Sequence, residues 1–225
     1  MWKIFNENRM LILLISFIVY WILAPFVEGT FRVRIATDLL FTGILIAAIH
    51  AARRNHLQTL IALALAIPVF YGTWEKYVDP LPDTIIFGPA FSALFTAYVM
   101  FLLLQAIFRS PEVDLEVVSA AAAVYLFLGL LWGDFYFILE YLAPGSFAVP
   151  DSADTSSYHT FNYFSFVTLS TLGYGEITPV TKEARSLASM EALVGQLYIA
   201  VLIARLVSVY SRRPSGPAAS PEDRD

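Results

Sequence analysis

Long apolar runs separated by short polar segments dominate the pattern of the chain. Six of these runs cover residues 10–27, 39–52, 57–71, 85–108, 115–142 and 186–210. A helix that crosses the hydrocarbon core of a bilayer needs about 20 predominantly apolar residues. The second run is the shortest, and the sequence is compatible with a helix that begins as early as Ile35. The pattern predicts an all-α membrane protein with six transmembrane helices.

A seventh apolar segment, residues 158–169, is too short to span a bilayer. It follows a loop, residues 143–157, that holds prolines, a glycine and aspartates. The residues directly after this apolar segment include two glycines, Gly173 and Gly175. Non-helical backbone at membrane depth is tolerated only where protein or a water-filled cavity surrounds it. The pattern therefore predicts a re-entrant half-helix that ends near Leu169, packed inside the protein.

Composition supports a membrane protein and excludes several other classes. Hydrophobic residues make up 58% of the chain and charged residues 15%, an imbalance that soluble domains rarely show. The net charge of −5 argues against a nucleic-acid partner, because phosphate binding needs a basic face. The chain has no cysteine. No nucleophile–base pair, metal-binding histidine spacing or phosphate loop is visible, so we expect neither an enzyme nor a cofactor.

The basic residues between the spans predict the orientation. With six spans, most of them fall on one side of the membrane: Lys3, Arg9, Arg53, Arg54, Arg109, Arg212 and Arg213. Loops on that side are cytoplasmic, and Arg32 and Arg34 are the exceptions. Both termini are then cytoplasmic, and residues 10–27 form a span, not a signal peptide. Residues 212–225 are rich in proline, serine and charge, which predicts a disordered cytoplasmic tail.

The stretch after the half-helix carries the most specific motif. It reads Thr171, Leu172, Gly173, Tyr174 and Gly175, followed by Glu176 and Pro179. This motif resembles the selectivity filter of potassium channels, in which backbone carbonyls replace the hydration shell of the ion. The two glycines can adopt the positive φ that turns successive carbonyls to one side. The specific resemblance covers residues 161–210.

The resemblance implies a tetrameric potassium-channel fold, because one chain supplies one of four filter loops. K⁺ would bind the carbonyls of four residues, with the hydroxyl of the first as an additional ligand: Thr171, Leu172, Gly173 and Tyr174. Residues 112–211 would form the pore domain, with an outer helix, pore helix, filter and inner helix. Residues 1–111 would form a four-helix membrane domain in the position of a voltage sensor.

The resemblance also implies which residues support the filter. The Tyr174 ring would point away from the pore axis into packing with Tyr163, Phe164 and Phe166. Phe164 stands where many family members have a tryptophan that bonds the filter tyrosine. Glu176 stands where the family usually has aspartate, and Tyr163 is expected to bond it. With one support missing, we expect a filter that inactivates readily.

The inner helix offers one candidate hinge and one cavity-lining face. Gly195 lies sixteen residues after Pro179, the spacing of the family's hinge glycine. The alternative is a glycine that permits close helix packing. On the same alignment Gln196, Ile199 and Ile203 would face the central cavity.

Charged residues inside predicted spans are costly and usually functional. We expect Glu191 to lie behind the pore helix and to accept hydrogen bonds from Ser165, Thr168 or a backbone group. The alternative is a wet position near the outer surface. Asp134 and Glu140 are expected to reach the outer interface, with no assigned role. His159 is expected to cap or pack, although its side chain could also sense pH.

These observations predict a potassium-selective channel that conducts passively across the inner membrane of a prokaryote. Its partners would be three more copies of the chain, lipid and potassium ions. Residues 85–108 contain no lysine or arginine, so steep voltage gating is not expected. Two alternatives remain: a weakly selective monovalent cation channel, and a non-conducting membrane protein that serves assembly or signalling. The gating stimulus is left open.

Overall fold

The computed structural model describes residues 8–23, 31–52, 55–74, 87–150 and 158–211. The predicted disordered tail and most of the basic residues used for orientation lie outside these residues. The polar loop between the third and fourth predicted spans and the loop at 151–157 lie outside them as well. Those predictions stay predictions.

The described part of the chain is almost entirely helical. Its helices are α1 Arg9–Leu23, α2 Phe31–Ala52, α3 His56–Trp74, α4 Phe87–Arg109, α5 Leu115–Leu142, α6 Tyr158–Leu169 and α7 Lys182–Ser211. Two short strands, β1 Phe147–Ala148 and β2 Thr178–Pro179, pair antiparallel. The sequence pattern did not predict this pairing, because two-residue strands leave no periodic signal.

Four of the described helices are long and apolar enough to cross a membrane: α3, α4, α5 and α7. Arg9–Leu23 and Asp38–Ala51 are apolar but shorter. The chain is therefore a multi-pass helical membrane protein. The predicted count of six spans is not confirmed by helix length and composition alone.

Two predicted helix starts were wrong. Helix α2 begins at Phe31, eight residues before the apolar run and four before Ile35. Helix α7 begins at Lys182, where the hydroxyl of Thr181 accepts a hydrogen bond from the Ala184 amide at 3.3 Å. Polar residues can extend a helix beyond its apolar run, and capping groups decide where it starts. The half-helix and the fifth span have the predicted bounds.

One hydrophobic core joins the first four helices to α5. Phe17 of α1, Leu103 of α4 and Val124 of α5 are among its fully buried members. The carboxylate of Glu116 accepts hydrogen bonds from the Met10 and Leu11 amides at 3.1 and 3.3 Å. These contacts hold the start of α1 against the start of α5. The domain boundary predicted at residue 111 stays a prediction.

A second, aromatic core lies where α5, α6 and the paired strands meet. Tyr136, Phe147, Phe161 and Phe164 are buried there, and their rings meet edge to face. Such pairs add stability beyond the apolar area they bury. This core fixes the half-helix α6 against α5.

The far end of α7 is tied to α4. The guanidinium of Arg205 donates to the carbonyls of Ile107 and Ser110 at 2.7 and 3.2 Å. The last carbonyls of a helix lack intrahelical donors, so a cation is favourable at that end. The contact joins α7 to the connection between α4 and α5.

Candidate ion pathway

Two glycines one helical turn apart on α5 make room for the half-helix α6. A Cβ atom on Gly129 would lie 2.5 Å from the Phe166 ring, and one on Gly133 would lie 2.0 Å from Asn162 Oδ1. A larger side chain at Gly133 would also press on the Asn162 Cα at 3.1 Å, whereas at Gly129 the Phe166 ring would have to move. Small residues with this spacing permit close helix approach in membranes. The G-x-x-x-G spacing in the sequence was a signal for this contact that the sequence analysis missed.

The carboxyl end of α6 is held by both flanking helices. The Tyr125 hydroxyl of α5 donates to the Leu169 carbonyl at 3.2 Å. A Cβ atom on Gly195 of α7 would lie 2.8 Å from the same carbonyl oxygen. Gly195 therefore has the close-packing role that was the alternative to a hinge. The hinge stays a prediction.

The loop after α6 has an unusual backbone. Every second residue has a positive φ: 58° at Thr171, 59° at Gly173 and 91° at Gly175. L-residues rarely adopt this conformation, which favours glycine, and strained backbone of this kind concentrates at functional sites. The Val167 carbonyl accepts hydrogen bonds from the Leu172 and Gly173 amides at 2.9 and 3.3 Å. These bonds anchor the loop to the end of α6.

The predicted contact between Tyr163 and Glu176 is present. The hydrogen bond to the Glu176 carboxylate raises the pKa of Tyr163 to about 12. The neutral phenol is favoured because deprotonation would remove the donor and place two negative charges side by side. The bond is therefore fully present below pH 10 and is lost as the pH rises through about 12.

Removing this bond is expected to weaken the loop. Tyr163→Phe should speed inactivation of the potassium current that the motif predicts about two- to tenfold at neutral pH, because one net hydrogen bond is lost. Single-channel recording in planar bilayers measures the rate. Tyr141→Phe removes another partly exposed tyrosine hydroxyl, at the end of α5, and should leave the rate unchanged. Equal inactivation rates for wild type and Tyr163→Phe would show that the hydrogen bond between Tyr163 and Glu176 does not support the loop.

Two of the three rings that were predicted to pack around Tyr174, Phe164 and Phe166, contact other elements of the same chain. Phe164 is buried against Tyr136 and Phe147, and Phe166 lies 4.4 Å from the Trp21 ring, measured between centroids. The Tyr174 side chain is 68% exposed. Neighbouring positions on α6 face different elements, and the packing of these rings around Tyr174 in an assembled filter stays a prediction. Phe164 supports α6 from the side of α5.

Glu191 lies behind the half-helix, as expected, and is fully buried. Ser165 Oγ of α6 is 2.5 Å from its Oε1, and the Tyr136 hydroxyl of α5 donates to Oε2 at 2.5 Å. The alternative, a wet position near the surface, is wrong. The side chain links three helices at one point. Tyr136 was missed by the sequence analysis, since nothing in the sequence marks its partner.

The number of available hydrogen atoms indicates which group donates in each contact of the cluster formed by Glu191, Ser165, Tyr136 and the Gly129 carbonyl. Ser165 Oγ is also 2.6 Å from the Gly129 carbonyl, which can only accept. A serine hydroxyl carries one hydrogen. Both short contacts are satisfied when Ser165 donates to Gly129 and a protonated Glu191 donates to Ser165. The geometry thus favours a neutral Glu191.

Glu140 and Asp134, the two acidic residues in the second half of α5, have different surroundings. Glu140 accepts hydrogen bonds from the Gly145 and Phe147 amides at 2.8 and 3.2 Å, which places it at the end of α5. Asp134 is only 3% exposed, so the expectation that it reaches the interface was wrong. Asp134 and His159 both line a cavity between the helices.

The predicted cavity-lining residues lie on an open face of α7. Gln196, Ile199 and Ile203 are all exposed in the single chain. Few residues of α7 are buried inside the chain, although the helix is apolar along most of its length. An apolar helix of this kind is covered by lipid or by other protein.

Comparison with known proteins shows what this region is similar to. A family described as ion channel matches residues 115–212, which run from the start of α5 past the end of α7. The inward rectifier potassium channel Kirbac3.1 of Paramagnetospirillum magnetotacticum is 35% identical over 104 residues, 46% of this chain and 35% of that protein. The two pore potassium channel c of Oryza sativa subsp. japonica is 38% identical over 82 residues, 33% of this chain and 18% of that protein.

No solved structure gave a significant match. The aligned region spans about a third of the first of these relatives and less than a fifth of the second. The matches support the resemblance to potassium channels in the part of the chain that carries the motif. They show similarity to ion channels, not to enzymes, in this part of the chain.

Proposed function

We propose that four copies of this chain form a potassium-selective channel whose filter is the segment Thr171, Leu172, Gly173, Tyr174 and Gly175. The observation that carries the proposal is the alternating positive φ in a loop anchored to a buried half-helix. The side chains of Leu172 and Tyr174 are 55% and 68% exposed in the single chain. Neighbouring copies in a ring would cover such side chains.

The oxygen ligands of the proposed filter suit a monovalent cation. Potassium must lose its water in the filter, and carbonyl oxygens replace that water without adding a net charge that would trap the ion. The Thr171 hydroxyl adds one ligand at the inner end. The negative end of the α6 dipole, at Leu169, would favour a cation in the central cavity.

The same proposal includes the arrangement in the membrane. The chain would cross six times, with α1 and α2 as the first two spans and both termini in the cytoplasm of a prokaryotic cell. The exposed apolar face of α7 would contact lipid and the other copies, with Gln196, Ile199 and Ile203 towards the cavity. The only lysine or arginine in α4 is Arg109, its last residue, so α4 carries no gating charges.

Ion flux into proteoliposomes tests this function. Purified protein should pass potassium faster than sodium by on the order of tenfold or more, because only the dehydrated potassium ion matches the carbonyl ring. Protein-free liposomes are the control. Equal flux of the two ions would indicate the weakly selective alternative. No flux of either, from intact tetramers, would indicate a non-conducting membrane protein.

A further inference from the structure

The buried face of α1 continues to Trp21, near the end of the helix. Met10, Leu13 and Phe17 of this face are buried, and they are spaced by three and four residues. Residues three and four apart lie on the same side of a helix. Trp21 follows Phe17 by four residues and stacks on its ring, with 6.5 Å between the ring centroids. Trp21 therefore faces the same side as the core residues.

The Trp21 ring packs against the half-helix α6. Its centroid lies 4.4 Å from that of the Phe166 ring, with 60° between the ring planes. The Phe166 ring also lies on Gly129 of α5, since a Cβ atom there would be 2.5 Å from the Phe166 Cε1. Aromatic pairs of this kind add stability beyond the apolar area that they bury. Phe166 is thus held by α1 and α5 together.

Phe166 belongs to the turn of α6 that anchors the loop. Its carbonyl accepts hydrogen bonds from the amide and the hydroxyl of Ser170, the first residue after the helix, at 3.1 and 2.6 Å. The next carbonyl, that of Val167, accepts from the Leu172 and Gly173 amides. A shift of Phe166 would move both acceptors, because neighbouring carbonyls of one helical turn move together. The position of the Phe166 ring therefore affects the loop directly.

The other end of α1 is fixed to α5. Glu116, in the first turn of α5, accepts the hydrogen bonds of the Met10 and Leu11 amides. Met10 and Trp21 lie about 16 Å apart along α1, at a rise of about 1.5 Å per residue. Glu116 and Gly129 lie about 20 Å apart along α5. The two helices therefore run side by side over this length, and α1 presents Trp21 to α6 from a fixed position.

A tryptophan near a helix end can also anchor the helix at the membrane surface. Such an anchor needs no partner inside the protein. Trp21 has two, because its ring packs against Phe17 of its own helix and against Phe166 of α6. A double substitution of Trp21 and Phe166 distinguishes the two roles.

We propose that Trp21 is a positioning residue for the filter: its ring holds Phe166 against α5 and thereby fixes the carbonyls that anchor the loop. The proposal rests on the proposed function, in which this loop selects potassium. Trp21 lies outside residues 115–212, the region that the ion-channel family matches. A helix from the rest of the chain therefore supports the filter segment of the same chain.

Hydrogen exchange of the full-length protein in lipid nanodiscs tests the contact without ion conduction. Trp21→Leu should speed exchange of the amides at residues 170–173 about three- to tenfold, because one aromatic pair no longer opposes local opening. Tyr20→Leu is the matched control. It removes a ring at the neighbouring position that packs against Phe41 of α2, with centroids 5.8 Å apart, and should leave exchange of these amides unchanged.

Recording of potassium current in planar bilayers gives a second readout. Trp21→Leu should speed inactivation about three- to tenfold in protein that assembles normally. Trp21→Phe keeps a ring against Phe166 and should stay within about twofold of wild type. In a double-mutant cycle, Trp21→Leu should have little further effect in a Phe166→Leu background, because the shared contact is already absent.

Unchanged amide exchange in assembled Trp21→Leu would overturn the proposal. Additive effects of Trp21→Leu and Phe166→Leu would also overturn it and would indicate an anchor at the membrane surface. If Trp21→Leu does not assemble, Trp21→Met, which fills more of the same space, is judged by the same criteria. A protein that conducts no potassium contradicts the proposed function alone, because the exchange rates still decide whether Trp21 holds the loop.

Discussion

Gly173→Ala is expected to abolish potassium flux while the protein still assembles. Gly173 has a φ of 59°, and a Cβ atom in that region costs roughly 1–2 kcal/mol in each chain. Four chains share the proposed filter, so the strain is repeated four times around the ion. The backbone relaxes by rotating the carbonyl away from the axis, and an ion site is lost. We expect potassium flux to fall about a hundredfold or more.

The surroundings of Gly173 show that alanine there would cause conformational strain but no steric overlap. No atom lies within 4 Å of a Cβ built there, so alanine would not collide with the rest of the chain. Gly145 offers a matched control, since it has a φ of 84° and equally open surroundings in the loop after α5. Gly145→Ala imposes similar strain outside the filter and should conduct like wild type.

Flux assays of both variants in proteoliposomes, with size-exclusion chromatography to check assembly, make the comparison. Undiminished potassium flux in Gly173→Ala would contradict the filter assignment. Equal loss of flux in Gly145→Ala would show that strain outside the filter segment also stops conduction, so the loss in Gly173→Ala would not support the filter assignment.

Glu191→Ala is expected to destabilise the pore region by about 3 kcal/mol per chain. The change leaves the Tyr136 hydroxyl without its acceptor and opens a void between α5, α6 and α7. Glu191→Gln has almost the same shape. Its amide can donate to Ser165 and accept from Tyr136, so we expect a loss of no more than about 1 kcal/mol.

Thermal dissociation of the assembled protein measures this difference. Met190→Ala is the control for side-chain truncation on α7, because Met190 is half-exposed. It should change the transition temperature little. If glutamine lowers the transition temperature as much as alanine, the cluster needs an ionised carboxylate, and the bonding pattern inferred from the hydrogen count is wrong. If alanine has no effect, the cluster does not hold the three helices together.

Local sequence was sufficient to predict the elements that form the candidate ion pathway. Residues 158–169 and 115–142 were predicted with the bounds that the structure shows, because apolar length and flanking polar residues determine where such helices form. The glycines of the motif were expected at positive φ, and Gly173 and Gly175 have it. Thr171 also has a positive φ, which its residue type did not indicate.

The sequence by itself thus determined the helical membrane character, the half-helix and the loop, since these depend on hydrophobic length and backbone freedom. Apart from the contact of Glu191 with Ser165 and that of Tyr163 with Glu176, which the sequence predicted, only the tertiary structure decided which side of each helix meets which neighbour. It buried Asp134, turned Phe164 towards α5, and brought Tyr136 to Glu191 over 55 positions in sequence. Small residues such as Gly129 and Gly133 mark a face that packs closely, but a hydrophobic run does not name its partner, because every apolar face gains similarly from burial and the detailed fit of side chains selects the contact.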